Sequence, residues 1–346
     1  MRVLLDTTYA RRGPSGTGVY IDRLSAALRE EGVDVVERAN ERRPDPAGGG
    51  TGSMRNLALD QWWTQVELPR HAREAKADVL HHPLPALALR SPCPQVVTIH
   101  DLAFERLPDL FDPKFRRYAS QTHRRAARGA QAVVAVSETT ARDARARWGI
   151  DEAKIVVALH GPGQEPKLVA AVRAEHFLYV GDDEPRKNLG LLLDAHARYR
   201  AACRIASRET QGGPGLPLVL AGRATAEQEG VRCEPEPDLP KLLNGTAALV
   251  HPSLHEGFGL TPLEAMHAGV PVIAARSPGL TETCGDAALY VDPHDAHDLA
   301  KQLARVARDA PLRADLARRG RERARGFSWQ ASARAHIAAY NLAMTR

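Results

Sequence analysis

His251-Pro-Ser-Leu-His-Glu256-Gly-Phe-Gly-Leu-Thr261-Pro-Leu-Glu264-Ala-Met-His-Ala-Gly269-Val-Pro-Val-Ile-Ala-Ala275 decides how this chain is read. It follows an apolar run, Thr246-Ala-Ala-Leu-Val250, that predicts a buried strand. Gly257 and Gly259 then fall in the turn where a parallel strand gives way to a helix. Thr261 suits an N-cap, Pro262 the first helical position, and Glu264, three residues after the threonine, completes a capping box. Gly269 suits the helix stop, with 270–275 as the next buried strand. Backbone N–H groups at 258–262, beside the partial positive charge of a helix N-terminus, offer a site for a phosphate or diphosphate. Open α/β sheets bind ligands at this place, beyond the carboxyl ends of the strands.

Glu256 and Glu264, with seven residues between them, bracket this anion site. Carboxylates accept hydrogen bonds from sugar hydroxyls, so a ligand with both phosphate and hydroxyl groups fits better than a bare anion. On spacing alone the plainer alternative stays open: Glu264 caps the helix and Glu256 is a solvated loop acid. A second anion site is predicted at Gly181-Asp182-Asp-Glu-Pro-Arg186-Lys187-Asn188, between a strand and a helix. Arginine binds two oxygens at once and lysine adds a point charge. The alternative there is a surface loop with salt bridges to Asp182, Asp183 and Glu184. His100 ends the strand Gln95-Val-Val-Thr-Ile99, again on the ligand-facing edge. A histidine at a strand end is commonly structural, and Asp101, pointing to the opposite face, is poorly placed to orient it.

Near the N-terminus, strand 2–6 leads through Gly13-Pro-Ser-Gly16-Thr-Gly18 to a helix whose Ile21, Leu24 and Leu28 share a face. G-x-G-x-x-G is absent, which weakens a nicotinamide-binding reading. Loop amides near a phosphate and a plain surface turn both remain open. Trp62 and Trp63 lie on a helical stretch ending near Ala75, with core packing favoured over an acceptor groove.

The 346 residues suit two domains, and a net charge of +5 is too modest to name a partner. Four scattered cysteines indicate neither a disulfide framework nor a zinc site. No run approaches the roughly 18–20 apolar residues of a membrane span, and the N-terminus reads as a strand, so a cytoplasmic protein is expected. Basic residues are dispersed without interleaved aromatics, which argues against nucleic acid. Segment 114–128, with Lys114, Arg116, Arg117, Arg124, Arg125 and Arg128, suits an anionic lipid surface or, lacking a bulky apolar stripe, a solvated helix face. No D-x-D triad occurs, so no metal bridge to a diphosphate is expected.

Glu256-Gly-Phe-Gly-Leu-Thr-Pro-Leu-Glu264-Ala-Met resembles the E-x7-E signature of glycosyltransferase family 4, retaining transferases of the GT-B fold. Ile99-His-Asp-Leu, Val136-Ser-Glu, Pro185-Arg-Lys-Asn and the C-terminal Phe327-Ser-Trp329 segment extend the resemblance over nearly the whole chain, closest to a bacterial mannosyltransferase-like branch. Three departures stand out. His160-Gly161 replaces an Asn-Gly pair, Asp182 replaces an arginine, and 224–240 is short where relatives carry a full strand–helix unit.

The resemblance implies an α/β GT-B fold, two Rossmann-like domains with parallel sheets facing a cleft. It divides the chain into an acceptor domain at 1–160, a nucleotide-sugar domain at 161–326, and a segment at 327–346 that crosses back. It implies retaining, metal-independent transfer of a hexose from a nucleotide-diphosphate sugar, GDP-mannose-like or a UDP-sugar, to an acceptor hydroxyl, with no cofactor. The acceptor would be a small molecule, a glycan or a lipid-linked sugar, and the enzyme would touch the inner face of the membrane peripherally. In this scheme His100 hydrogen-bonds the transferred sugar. Glu256 and the amides of Gly257, Phe258, Gly259 and Leu260 hold it, Glu264 accepts from the ribose hydroxyls, and Arg186 and Lys187 stabilise the departing diphosphate. Gly16 and Gly18 lie beside the donor. A GT-B nucleotide-sugar epimerase and a catalytically silent nucleotide-sugar-binding protein are the rivals; the latter is disfavoured because the motif residues are all present.

Overall fold

Short apolar runs alternating with longer amphipathic segments force parallel pairing, because each crossover helix returns the chain to the same end of its sheet. The computed structural model describes residues 1–11, 15–43, 51–163, 174–210 and 215–346, without the side chains of 51–54 and 207–210. Six strands form the first sheet: β1 (Arg2–Asp6), β2 (Asp34–Arg38), β3 (Val79–His82), β4 (Gln95–Ile99), β5 (Ala132–Ala135) and β6 (Ile155–Val157). Their order is β2-β1-β3-β4-β5-β6, every pairing parallel. Six more form the second: β7 (His176–Val180), β8 (Leu218–Ala221), β9 (Val231–Glu234), β10 (Thr246–His251), β11 (Val272–Ala275) and β12 (Leu289–Val291). These run β12-β11-β10-β7-β8-β9, again all parallel. Central strands β3, β4, β5, β10 and β11 are buried along their whole length, whereas the edge strands β2, β6, β9 and β12 are partly open. Near-continuous apolar sequence is what a parallel strand covered on both faces requires.

The chain divides into two compact units, Met1–Gly163 with Ser328–Arg346, and Gln164–Phe327. The last helix, Trp329–Met344, therefore belongs to the first unit. Its Ala333, Ala339, Tyr340 and Ala343 share a core with Tyr20, Ile21, Leu24 and Leu28 of the helix Gly16–Glu30, and the Trp329 indole donates to the Pro162 carbonyl at 2.8 Å. Elsewhere in this unit Trp63, Leu68 and Ala72 pack on Leu4 and Leu80, while Ala119, Ala127 and Trp148 pack on Val97, Ile99 and Val133. In the second unit, Leu189, Leu192, Ala195, Tyr199 and Cys203 form one buried stripe. They lie on the helix Leu189–Thr210.

Several expectations need correction. The helix expected near Ile21 begins at Gly16, because Ser15 caps it by accepting from the Gly18 N–H at 3.0 Å. Gly16 and Gly18 thus lie in a first helical turn rather than a loop. The two tryptophans separate at a π-type turn, Trp63–Glu67. Trp63 is buried and donates to Asp6 Oδ2 at 3.1 Å, whereas Trp62 is 52% exposed. Region 224–240 holds β9 and a short helix, Leu239–Asn244, so its strand is present and only its helix is reduced. On the basic helix Pro113–Gly129, Phe115 (48%) and Tyr118 (38%) are exposed among Lys114, Arg117, Arg124 and Arg125; a bulky apolar element the sequence reading denied is there. Residues 12–14, within the N-terminal loop expected to pass near a phosphate, and residues 44–50, 164–173 and 211–214 lie outside the described residues. Among the described residues no helix is long and apolar enough to cross a membrane.

Candidate functional site

Parallel sheets place the chemistry-bearing residues of each unit at the carboxyl ends of their strands. In the second unit, β7 runs into Gly181 and Asp182, β8 into Gly222 and Arg223, and β10 into 252–259. Pro185–Lys187 forms a 3-10 turn that ends with Asn188 in the left-handed region at φ 58°. The Asn188 amide donates to the Pro252 and Pro293 carbonyls at 3.2 and 2.8 Å, and the Leu254 N–H donates to the Arg186 carbonyl at 2.8 Å. These bonds stitch the turn after β7 to the segment after β10.

The stitch delivers two cations to one carboxylate. Lys187 Nζ lies 2.7 Å and Arg186 Nη1 3.3 Å from Glu256 Oε1, and His251 Nε2 lies 3.1 Å from the same oxygen. Burial by itself would push the Glu256 carboxyl up, but Lys187, the His251 hydrogen bond and Arg186 together hold it well below the usual range. Glu256 is therefore ionised. Among the described residues its Oε2 makes no hydrogen bond, which leaves one carboxylate oxygen to accept from a ligand hydroxyl. Burial also keeps the His251 imidazole less basic than usual, despite Glu256.

The 256–259 turn is anchored from below. Thr283 Oγ1 donates to the Phe258 carbonyl, and Phe258 meets Phe327 edge-on at 5.8 Å. A Cβ on Gly279 would stand 2.0 Å from the Glu256 carbonyl oxygen, so only glycine lets the helix Pro278–Cys284 approach this turn. Gly279→Ala must displace it, and a shift of about 1 Å at a reacting group costs on the order of 100-fold. Initial rates of turnover at this site should show that loss; wild-type rates in the variant would mean that the turn does not serve the chemistry.

The capping box expected at Thr261–Glu264 does not form. The helix runs Leu260–Ala268, and its N-cap is Gly259 at φ 99°, with no side-chain cap. That left-handed glycine starts the helix two residues early, so Thr261 and Pro262 already lie inside it. The first intrahelical bond runs from the Leu263 N–H to the Gly259 carbonyl at 3.2 Å, leaving the Leu260 and Thr261 amides ahead of it. Glu264 is buried on the helix rather than acting as its cap.

Asp182 draws a second arginine to this corner and neutralises it. It pairs with Arg223 through both carboxylate oxygens, Nε to Oδ1 at 3.0 Å and Nη2 to Oδ2, so β8 supplies a cation beside Gly181. Sequence reading missed Arg223 and His251; their positions directly after β8 and at the end of β10 were the available signals.

In the first unit His100 follows β4, and its Nε2 donates to the Pro83 carbonyl at 2.9 Å. A carbonyl only accepts, so Nε2 carries the proton and Nδ1 is left as an acceptor. Burial holds His100 below its ordinary pKa, keeping it neutral. Asp101 accepts from the Ala103 N–H at 2.9 Å instead of orienting His100, as expected. The Tyr20 ring meets His100 edge-on at 4.8 Å. Tyr20 in turn ends a buried chain of hydrogen bonds: to His336 Nε2 at 2.9 Å and to Thr98 at 2.8 Å, with Thr98 bonded to His81 Nε2 at 2.9 Å and His81 Nδ1 to Tyr340 at 2.8 Å.

Two units, each built on a six-stranded all-parallel sheet, give the two-domain α/β architecture of the GT-B type. The chain matches the family described as Glycosyltransferase Family 4 over residues 14–161 and that described as Glycosyl transferases group 1 over 164–323. It belongs to the family 4 glycosyltransferases, near the bacterial mannosyltransferase branch. O-antigen chain mannosyltransferase B of Escherichia coli is 28% identical over 276 residues, 71% of this chain and 70% of that protein. Sucrose-phosphate synthase from Thermosynechococcus elongatus superimposes with a TM-score of 0.73 at 18% identity, covering 99% and 98% of the two chains. Anabaena HepE, solved with UDP and glucose, gives 0.67 at 19% identity over 98% of each chain.

Proposed function

We propose that this glycosyltransferase moves a hexose from a nucleotide-diphosphate sugar, GDP-mannose-like or a UDP-sugar, to an acceptor hydroxyl, with retention and without a metal. The observation that carries this reading is the convergence of Lys187, Arg186 and His251 on Glu256 Oε1, beside the turn that opens the helix Leu260–Ala268. The two cations and the helix N-terminus suit a departing diphosphate, Glu256 Oε2 suits a sugar hydroxyl, and Glu264 suits the ribose. The mannosyltransferase relative and the UDP and glucose bound to HepE support a nucleotide-sugar donor. By family resemblance His100 accepts a hydrogen bond from the transferred sugar through Nδ1. The bond from the anomeric carbon to the β-phosphate oxygen breaks, the acceptor oxygen bonds to that carbon on the same face, and the acceptor's proton passes to the leaving phosphate. No separate protein base is required.

Donor hydrolysis, in which water is the acceptor, tests this without knowledge of the natural acceptor. GDP-mannose and UDP-glucose are incubated with the enzyme in EDTA and followed by proton NMR. An α-hexose should appear first from one α-linked donor, at a rate EDTA leaves unchanged. A β-hexose first, or loss of activity with EDTA, would contradict the mechanism, and an epimerised nucleotide sugar would favour the epimerase. The exposed Phe115 and Tyr118 beside Lys114, Arg117, Arg124 and Arg125 of Pro113–Gly129 favour peripheral contact with an anionic membrane. Sedimentation with phosphatidylglycerol but not phosphatidylcholine vesicles is the expected result; equal sedimentation with both would remove that contact.

A further inference from the structure

We propose that His251 is a positioning residue for Glu256: its Nε2–H ties carboxylate oxygen Oε1 in a fixed direction and so presents Oε2 to a hydroxyl of the transferred sugar. The proposal rests on the reading of Glu256 as a sugar-binding residue.

His251 is the last residue of β10, 1% exposed, paired across the sheet with Ala274 of β11. A carboxylate only accepts, so the 3.1 Å contact to Glu256 Oε1 requires the proton on Nε2. Nδ1 is then a buried acceptor, and among the described residues it has no hydrogen-bond partner. A buried acceptor left unpaired is costly, whereas an aliphatic side chain would fill a core strand position without that cost. What the histidine adds is its bond to Glu256.

Glu256 needs such a tether. The terminal torsion of a glutamate is broad, so packing of the stem does not orient the carboxylate plane. Lys187, at 2.7 Å, supplies a point charge with rotatable donors, and Arg186 stands further off at 3.3 Å. An imidazole N–H lies in the ring plane and points one way. The cations thus provide charge at Oε1 and the histidine provides direction. Burial, which keeps the ring from protonating, preserves Nδ1 as an acceptor and avoids a third positive charge here.

The test compares His251→Leu, His251→Asn and His251→Gln with wild type and Glu256→Ala. Glutamine carries its amide nitrogen near the position of Nε2; asparagine stays polar but falls short of Oε1. Calorimetry with GDP, GDP-mannose, UDP and UDP-glucose, together with donor hydrolysis rates, should show unchanged affinity for the nucleoside diphosphates in all three histidine variants. The affinity gained from the sugar, and kcat, should fall roughly 10- to 100-fold in the Leu and Asn variants and return to within about threefold of wild type in the Gln variant. Nitrogen-15 NMR of the free wild-type protein at pH 7 should show His251 protonated at Nε2 alone. Protonation at Nδ1, or wild-type sugar affinity and kcat in both the Leu and Asn variants while Glu256→Ala loses them, overturns the positioning role and leaves Glu256 standing. Wild-type behaviour of Glu256→Ala would instead remove the reading on which it rests. Should the Leu variant fail to fold, the Asn and Gln pair decides.

Discussion

Glu256→Ala should lower kcat for sugar transfer by roughly 100- to 1,000-fold, the range seen when one preorganised group facing developing charge is removed. Two losses combine. The sugar loses the acceptor at Oε2, and Lys187 loses the anion that holds it while Arg186 keeps its pair with Glu184 at 2.9 Å, so the diphosphate meets a less well fixed pair of cations. Those cations are largely buried, with side chains 15% and 17% exposed, and breaking a buried pair by deleting one partner costs about 3–5 kcal/mol. The alanine variant should therefore also melt earlier in the second unit. Glu256→Gln keeps the volume and one acceptor oxygen, so its stability should lie between the two while its kcat stays low. Saturating-donor kinetics beside scanning calorimetry separate the effects. Wild-type kcat in either variant would show that the cluster is only a structural ion pair.

Acid should unfold the first unit well before carboxylate protonation becomes general. Its buried hydrogen-bond network closes with neutral histidines. His336 Nδ1 donates to the Ser332 carbonyl at 2.7 Å, so its Nε2 accepts from Tyr20, while His81 Nε2 donates to Thr98 and its Nδ1 accepts from Tyr340. A second proton on either ring places an uncompensated positive charge on a fully buried side chain. Burial pushes His336 down to about 4 and His81 and His160 well below their ordinary value. For a group whose folded pKa is lowered, the unfolded chain binds the extra proton first. Stability is then complete above about pH 6.5 and falls as pH drops toward the folded value. The loss is about 1.4 kcal/mol per histidine per pH unit in that window, or roughly 2 kcal/mol each at pH 5. His336→Gln, which still offers Tyr20 an acceptor, should reduce the pH slope by one proton's worth. All four tryptophans, 62, 63, 148 and 329, lie in the first unit, so urea unfolding followed by tryptophan fluorescence reports it selectively. A midpoint unchanged from pH 7.5 to 5 would contradict this account.

Much of the fold is legible because a buried parallel strand is an apolar run wherever its neighbours come from. Runs such as 246–250, 132–135 and 218–221 are strands for that reason. Polar β9, Val231–Glu234, was missed because an edge strand needs no such run. The phosphate-type turns at 185–188 and 256–259 were also visible, since proline, glycine and adjacent cations carry local conformational meaning. The capping box failed because Gly259 entered the left-handed region and took the N-cap. Contacts between distant residues left no local trace. Lys187 with Glu256, Asp182 with Arg223, and Tyr20 with His336 join side chains whose proximity depends on strand order. His251 looked like an ordinary strand end for the same reason.

The most direct measurement is calorimetric titration of GDP and UDP, in EDTA, into wild type and Glu264→Ala. The account predicts that one nucleotide binds the wild type with EDTA present and loses at least tenfold in affinity when Glu264, buried on the helix Leu260–Ala268, is removed. Equal affinity in the variant, or no binding of either nucleotide to the wild type, would contradict a donor site at this helix.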